Sequence, residues 1–500
     1  YSGSVAITGD RISHIGDLTG LSAAQEIDVT GRVICPGLID VHNHSDGWLI
    51  RESNFEPKTT QGFTTEVIMA DGIGYAPVDD HTVAQWLYYL RGLDGLRMGD
   101  WEGWKTFEEY LETIDGRTAQ NACSHLPYAN LRAMACGFGR GAVDDFQMRE
   151  IQRQIRIGME AGAVGVSTGL DYIVQHFSTT DELAEAMSAM AGYDGLYVTH
   201  VRYKKGLLPA IKEAVEIGRR AGVRVHISHL KGQAPGQVDE VLEYIDRTAR
   251  HEVDFSFDLY PYQPGSTMLN YLAPYEVWED GPLAAASRLV EPVNQAKFAA
   301  GLEAYRLPMD YMRIAWVPGK ENSHLQGMTL EEFIEQSGRS PLEALTDLLI
   351  EERFAPLLVF DEGDDRLVEP LLKHDLFTLG TDGIYTSDGP VHPRVFGSVG
   401  RLFGTLVRDR KLMSLEQAVH HSTGYSAERF RLSDRGVLQG DAFADVVVFD
   451  PATIAEHATF DDPRQLTTGV ETVIVNGEVI LDAGQPIDFP GAAPGRFLRC

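Results

Sequence analysis

The chain has 500 residues, 43% hydrophobic and 23% charged, the make-up of a soluble globular protein with room for a barrel and one or two additions. Acidic residues outnumber basic ones 73 to 43, and the resulting formal charge of −30 repels phosphate backbones and argues against nucleic acid as a partner; an anionic small molecule remains possible if a pocket supplies a few cations. No apolar run approaches the roughly 20 residues that span a bilayer, no signal peptide is visible, and Cys35, Cys123, Cys136 and Cys500 match neither a disulfide framework nor a zinc knuckle, so a cytoplasmic location is expected.

The chain opens at Tyr1, without a methionine and already in strand-like texture, so a short N-terminal piece is expected to precede it. SVAITGDRISHIG and EIDVTGRVICPG alternate apolar and polar residues between glycine turns. From there, strand-like and helical runs alternate as in parallel βα units. The strand candidates are LIDVHNH, TEVIMAD, NLRAMAC, AVGVSTG, LYVTHVR, RVHISHL, VDFSFDLY and LFTLGTD. Helix starts are marked by capping boxes at Thr106/Glu109, Thr179/Glu182, Thr329/Glu332 and Ser414/Gln417. Eight such units predict an α/β fold, a TIM-type (β/α)₈ barrel over 37–436. The stretch from Ser266 to Asp347 is long for one connection, so about 267–345 reads as an inserted lid that can close with Trp278. Near the end, ADVVVFDP and VETVIVNGEVILDAG return to alternation, with Asn476-Gly477 marking a tight hairpin. Residues 1–36 and 437–500 are therefore expected to form one small, β-sandwich-like domain.

His42 and His44 sit at the end of the first candidate strand, where residues i and i+2 point to one side. An HxH pair alone can be two polar residues at a strand end. His200 ends LYVTH, His229 ends VHISH and Asp382 ends LFTLGTD, each on a separate strand. Barrel strand ends converge on one face, and four imidazoles with a carboxylate there supply the nitrogen and oxygen donors that zinc prefers.

With these residues in place, the sequence resembles the amidohydrolase superfamily, and within it the N-acyl-D-amino-acid deacylases. The resemblance runs through PGLIDVHNHSD, GFTTEVIMADG, AGAVGVSTGLDY, GLYVTHVR, ISHLK, DLYPYQPGST, GTDG, HPRVFG and GVLQGDAFADVVVFDP, in the family's order and over nearly the whole chain. It implies that His42 and His44 serve one metal position, that His200 and His229 serve a neighbouring one, and that Asp382 is the catalytic carboxylate. It also implies that Tyr172, Lys231, Ser266 and Arg394 bind a substrate carboxylate; for Lys231 and Arg394 a structural ion pair is the other possibility. Two positions depart from the family pattern. Asp71 stands where the family has a cysteine ligand, and Cys136 stands where a histidine is usual after the third strand. Asp71 is either a turn residue or a ligand. As a ligand it can bridge, which gives one or two zinc ions, with manganese or cobalt tolerated.

The expected reaction is hydrolysis of the amide bond of a small-molecule N-acyl amino acid, of D configuration by resemblance, using metal-activated hydroxide. The alternatives are a cyclic-amide hydrolase of the hydantoinase or dihydroorotase kind and a non-catalytic binding protein on the same scaffold. The former usually takes a bridging lysine from a barrel strand, and AVGVSTG has none.

Overall fold

The computed structural model describes residues 2–305 and 308–500; residues 306 and 307 of the expected lid, and Tyr1, lie outside them. The barrel strands are β1 (Leu38–Asp40), β2 (Phe63–Ile68), β3 (Asn121–Ser124, resuming at Leu126–Pro127), β4 (Gly165–Gly169), β5 (Leu196–His200), β6 (Arg224–Ile227), β7 (Phe255–Leu259) and β8 (Phe377–Leu379). They pair in parallel in that order. Val41 N donates to Leu379 O at 3.2 Å and Gly383 pairs with Asn43, closing the ring between β8 and β1. β2, β5 and β7 are buried at every position, because helices cover their outer faces and neighbouring side chains fill the inside. The helix Leu207–Ala221 shows how the cover is made. It buries Leu207, Ala210, Ile211, Ala214, Val215 and Gly218 along one stripe and stops at left-handed Gly222.

The third strand differs from its sequence reading. NLRAMAC lies in a helix, Tyr128–Cys136, and the strand is the preceding NACS. Leucine, arginine, methionine and alanine are strong helix formers, and their intrinsic preference prevails in a seven-residue stretch whose apolar residues read equally well as a strand. The cap at Thr179 also differs in part. Its hydroxyl accepts from Glu182 N, but the Glu182 carboxylate turns inward to Tyr128, Arg132 and Ser178.

Between β7 and β8 the inserted segment builds its own antiparallel sheet from Ser266–Met268, Leu357–Phe360 and Met312–Trp316, with Leu357–Phe360 in the middle. It thus runs past residue 345. Trp278 is buried in it against Tyr89 and Phe354 and forms part of its core. At the chain's ends, Val33–Pro36 pairs with Val446–Phe449, which pairs with Val470–Val475; Asn476-Gly477 then turns into Glu478–Asp482 with both residues at positive φ. The hairpin of Ser4–Thr8 and Arg11–Gly16 packs on this sheet through Ile12, Ala444, Val446 and Ile474. The last residues leave it. Ala122 N donates to Arg496 O and Leu498 N to Ala122 O, so the tail runs beside β3. Among the described residues no helix is long and apolar enough to cross a membrane, and the cysteines are free.

A buried polar knot ties the terminal sheet to the barrel. Asp445 takes an ion pair from Arg435 and a hydrogen bond from Asn121 on β3, and Asn476 bonds both Asn121 and Arg435. Asp445→Ala leaves the buried guanidinium without its carboxylate, a loss of about 3–5 kcal/mol. Breaking the exposed Arg153–Glu150 pair by Glu150→Ala is expected to cost less than about 1 kcal/mol. Chemical denaturation of the two variants checks this; equal effects would remove the knot from any role in joining the sheet to the barrel.

Candidate metal centre

Beyond β1 the backbone stays extended through Asn43–His44, so His42 and His44 leave the rim on one side. Asp71 comes from the turn after β2, His200 ends β5, and His229 and Asp382 follow β6 and β8. All six side chains are buried. His42 Nε2 lies 3.6 Å from Asp71 Oδ1 and 3.7 Å from Asp382 Oδ1. His44 Nε2 lies 3.7 Å from Asp71 Oδ2 and 3.4 Å from Asp382 Oδ1. His229 Nε2 is 3.8 Å from Asp71 Oδ1 and 3.0 Å from His200 Nδ1. The ligand atoms of His42, His44 and Asp382 fall within 4.8 Å of one another, as do those of His42, Asp71 and His229. His200 reaches the cluster through His229.

Two of the four rings have a hydrogen-bond partner at the second nitrogen, and the other two have a carboxylate facing it without a hydrogen bond. His42 Nδ1 faces Asp258 at 3.4 Å, His44 Nδ1 bonds Asp94 at 2.9 Å, His229 Nδ1 meets the Tyr203 hydroxyl at 3.3 Å, and His200 Nε2 faces Asp171 at 3.7 Å. Such partners fix ring orientation and raise the basicity of the inward nitrogen, the arrangement that metal-binding imidazoles need. Inside the ring of donors, His42 Nε2 and Asp71 Oδ1 are buried without a hydrogen-bond partner. A nitrogen and carboxylate donor set with orphaned inward atoms fits a divalent cation such as zinc.

The field points the same way. Burial by itself raises the Asp71 carboxyl, but His42, His229 and His200 hold it well below the usual carboxylate range. Burial likewise opposes ionisation of Asp382, and Arg394 followed by His44 overrides it. Burial disfavours a charged His42, yet Asp258 and Asp71 raise it to about 9. The carboxylates make this rim a place where positive charge is held.

Asp71, His229 and Asp382 take up left-handed backbone, at φ 57°, 37° and 49°. For residues with a side chain this region is sparsely populated, and strain of this kind collects at functional sites. Asp71 is pinned there by Gln175, whose Nε2 donates to Asp71 O at 3.0 Å. A side chain on the next residue, Gly72, would meet Gln175 Oε1 at 2.1 Å.

Beside the cluster lies a cationic corner. Arg394 is fully buried, with Nη1 at 2.8 Å from Asp382 Oδ2, while its Nε and Nη1 lack well-aligned hydrogen-bond acceptors. Its guanidinium stacks over Tyr260 at 4.3 Å, and Lys231 Nζ contacts the same ring and its hydroxyl. Burial and the neighbouring Arg394 push Lys231 down to about 7. Tyr172 lays its ring 4.7 Å from that of His200. Ser266 is turned away, donating to Leu358 O at 2.7 Å and so stitching the inserted sheet.

Cys136 ends a helix, half-buried beside Arg132, and is not in the cluster. The residue after β3 is His125, buried against Phe430 and pushed down to about 3 by burial, then by His226 and His42. It belongs to neither donor set. Sequence reasoning did not single out Asp94, Asp171, Tyr203, Asp258 or Tyr260. Three of these lie in motifs already singled out, GLDY and DLYPY; Asp94 lies in a turn with no local mark.

The sequence profile of the amidohydrolase family matches residues 25–481. A D-aminoacylase of Alcaligenes xylosoxydans xylosoxydans is 33% identical over 499 residues, covering 99% of this chain and 93% of the relative. An N-acyl-D-glutamate deacylase of the same organism is 31% identical, covering 99% and 92%. The N-acyl-D-glutamate deacylase of Bordetella bronchiseptica, solved with zinc and a phosphonate mimic of the reaction's tetrahedral intermediate, superimposes with a TM-score of 0.83 at 29% identity, covering 100% of this chain and 95% of the other. The match of sequence and fold over the full length settles the lineage: the chain belongs to the amidohydrolase family.

Proposed function

We propose that the chain is a metal-dependent hydrolase of the amide bond in N-acyl amino acids, with N-acyl-D-amino acids as its substrate class. The observation that carries this reading is the fully buried Arg394, next to Lys231 and against Asp382. A buried guanidinium whose Nε finds no acceptor is a group that grips a carboxylate, and here its Nη1 pairs with Asp382 of the candidate metal centre. The likeness to a D-aminoacylase and to a zinc-bound N-acyl-D-glutamate deacylase supports both the configuration and the ion.

His42, His44, Asp71, His200, His229 and Asp382 are the residues that would hold one or two divalent ions, zinc first, with manganese or cobalt tolerated by the carboxylates. When bound, such an ion supplies Lewis acidity, lowering the pKa of water from about 15.7 to about 7 and polarising a carbonyl. The protein supplies the rest. Arg394, Lys231 and the Tyr260 hydroxyl fix the amino-acid carboxylate, which places the scissile carbonyl over the histidine cluster. Tyr172 walls the site beside His200. Asp382, held ionised by Arg394, takes the proton of the attacking water at its carboxylate and returns it to the departing amine nitrogen. The inserted segment limits water at the rim.

Three outcomes are expected. Asp382→Asn should keep most of its metal and lose about 10²–10⁴-fold in kcat, the usual worth of general acid–base catalysis; near wild-type turnover on N-acetyl-D-amino acids would remove Asp382 from the proton path. Asp71→Ala should lower metal content measured by elemental analysis as well as activity, because its carboxylate faces three of the rings; unchanged metal would reduce Asp71 to a turn residue. Lys231→Met should cut kcat/KM for the free acid by about 10–100-fold, the scale of a charge-assisted bond, and leave the corresponding primary amide almost unchanged. Equal loss on both substrates would detach Lys231 from carboxylate recognition.

A further inference from the structure

A cavity of about 360 Å³, lined by none of the six residues of the candidate metal centre, opens between the barrel loops and the inserted segment. Arg51, Arg91, Arg97 and Arg353 line it together with the indoles of Trp48 and Trp316. Four guanidiniums around one cavity stand out in a chain with a formal charge of −30. Among the described residues only Arg51 has a carboxylate partner, Asp100, at a long 3.6 Å. Arg91 is held instead by the backbone carbonyls of Tyr88 and Arg353 and stacks on Tyr88 at 4.0 Å. The charges repel one another. Burial and then Arg97 lower the pKa of Arg51, while Arg91 is lowered chiefly by burial, with Arg353 adding to the effect. Like charges gathered around a cavity cost free energy that a bound anion returns, and aromatic walls accept a flat apolar body. The volume is in the range of small-molecule sites.

We propose that this cavity is a binding site for a small aromatic carboxylate, separate from the site that holds the substrate carboxylate at Arg394. Paired guanidiniums grip the carboxylate by parallel N–H bonds, and Trp316 lies against the ring, because Trp48 already stacks on Phe55 and carries Arg51 at 4.4 Å. The walls belong to loops that also serve the metal centre. Asp94, behind His44, lies in the segment that carries Arg91 and Arg97, and the loop after Asp382 supplies Tyr385 to the wall. A ligand here stiffens both loops.

Isothermal titration of the full chain with phenylacetate tests the assignment. Wild type and Lys231→Met should both show the cavity's binding event. Arg97→Gln combined with Arg353→Gln should weaken it at least tenfold while thermal unfolding stays unchanged, since both side chains are exposed. The single variant Arg97→Gln should weaken it severalfold and guards against misfolding of the pair. Phenylacetate binding that vanishes in Lys231→Met but survives the arginine changes would overturn the proposal. So would acetate or inorganic phosphate binding as tightly as phenylacetate, which would leave only an anion site without an aromatic subsite.

Discussion

Two ionised carboxylates, Asp71 and Asp382, and four imidazoles are buried together at one end of the barrel, and the surrounding structure is arranged around keeping them there. Removing such groups from water is expensive unless each finds a charged or hydrogen-bonded partner. The solution is layered. Inward atoms face one another across less than 4 Å, and the outward nitrogens rest on Asp94, Asp258, Asp171 and Tyr203. Asp258 serves three ways, facing His42, bonding His226 and accepting the backbone N–H of His229. A further layer lies beneath β1, where Lys58 pairs with Asp40 and Asp40 accepts the N–H groups of His42 and Thr381. The donor set is thus held by a network that reaches through several barrel strands.

The barrel makes this possible because parallel strands deliver their ends to one rim whatever the distance between them in sequence. His42 and Asp382 are far apart along the chain, yet Asp382 N donates to His42 O at 2.7 Å. The inserted segment reaches the same rim from the side. Tyr271 and Tyr275 place their hydroxyls 3.3 Å from Asp171, the carboxylate behind His200. The inserted segment is therefore linked by hydrogen bonds to the carboxylate that faces this imidazole.

Much of this was legible in the residues. Seven of the eight strands and the four histidines with Asp382 could be read from alternation and from a polar residue closing each apolar run. NACS and NLRAMAC were confused because strand and helix of that length leave the same apolar trace, and only the tertiary ring shows that Asn121–Ser124 is the one that pairs. Asp94 was invisible for a different reason, since a carboxylate in a glycine-flanked turn looks like any other until the fold brings it to His44. Ser266 matched its motif, but its hydroxyl serves the inserted sheet. The tail beside β3 escaped notice because a single bridge, helped by bonds from Arg496 N to Asn121 and from Phe497 N to Asp115, leaves little trace in side-chain pattern.

The left-handed backbone at Asp71, His229 and Asp382 limits how such a centre can change over evolutionary time. Outside glycine, that conformation is tolerated best by aspartate, asparagine and histidine, and glycine offers no donor. The side chains suited to these three places are thus largely those that bind cations through oxygen or imidazole nitrogen. A thiolate at residue 71 would have to hold the same left-handed backbone, as Met69 does two residues earlier, because Gln175 and Gly72 fix the turn. Exchanging the carboxylate at residue 71 for a softer donor therefore carries a backbone cost of up to about 1–2 kcal/mol besides its effect on the ion.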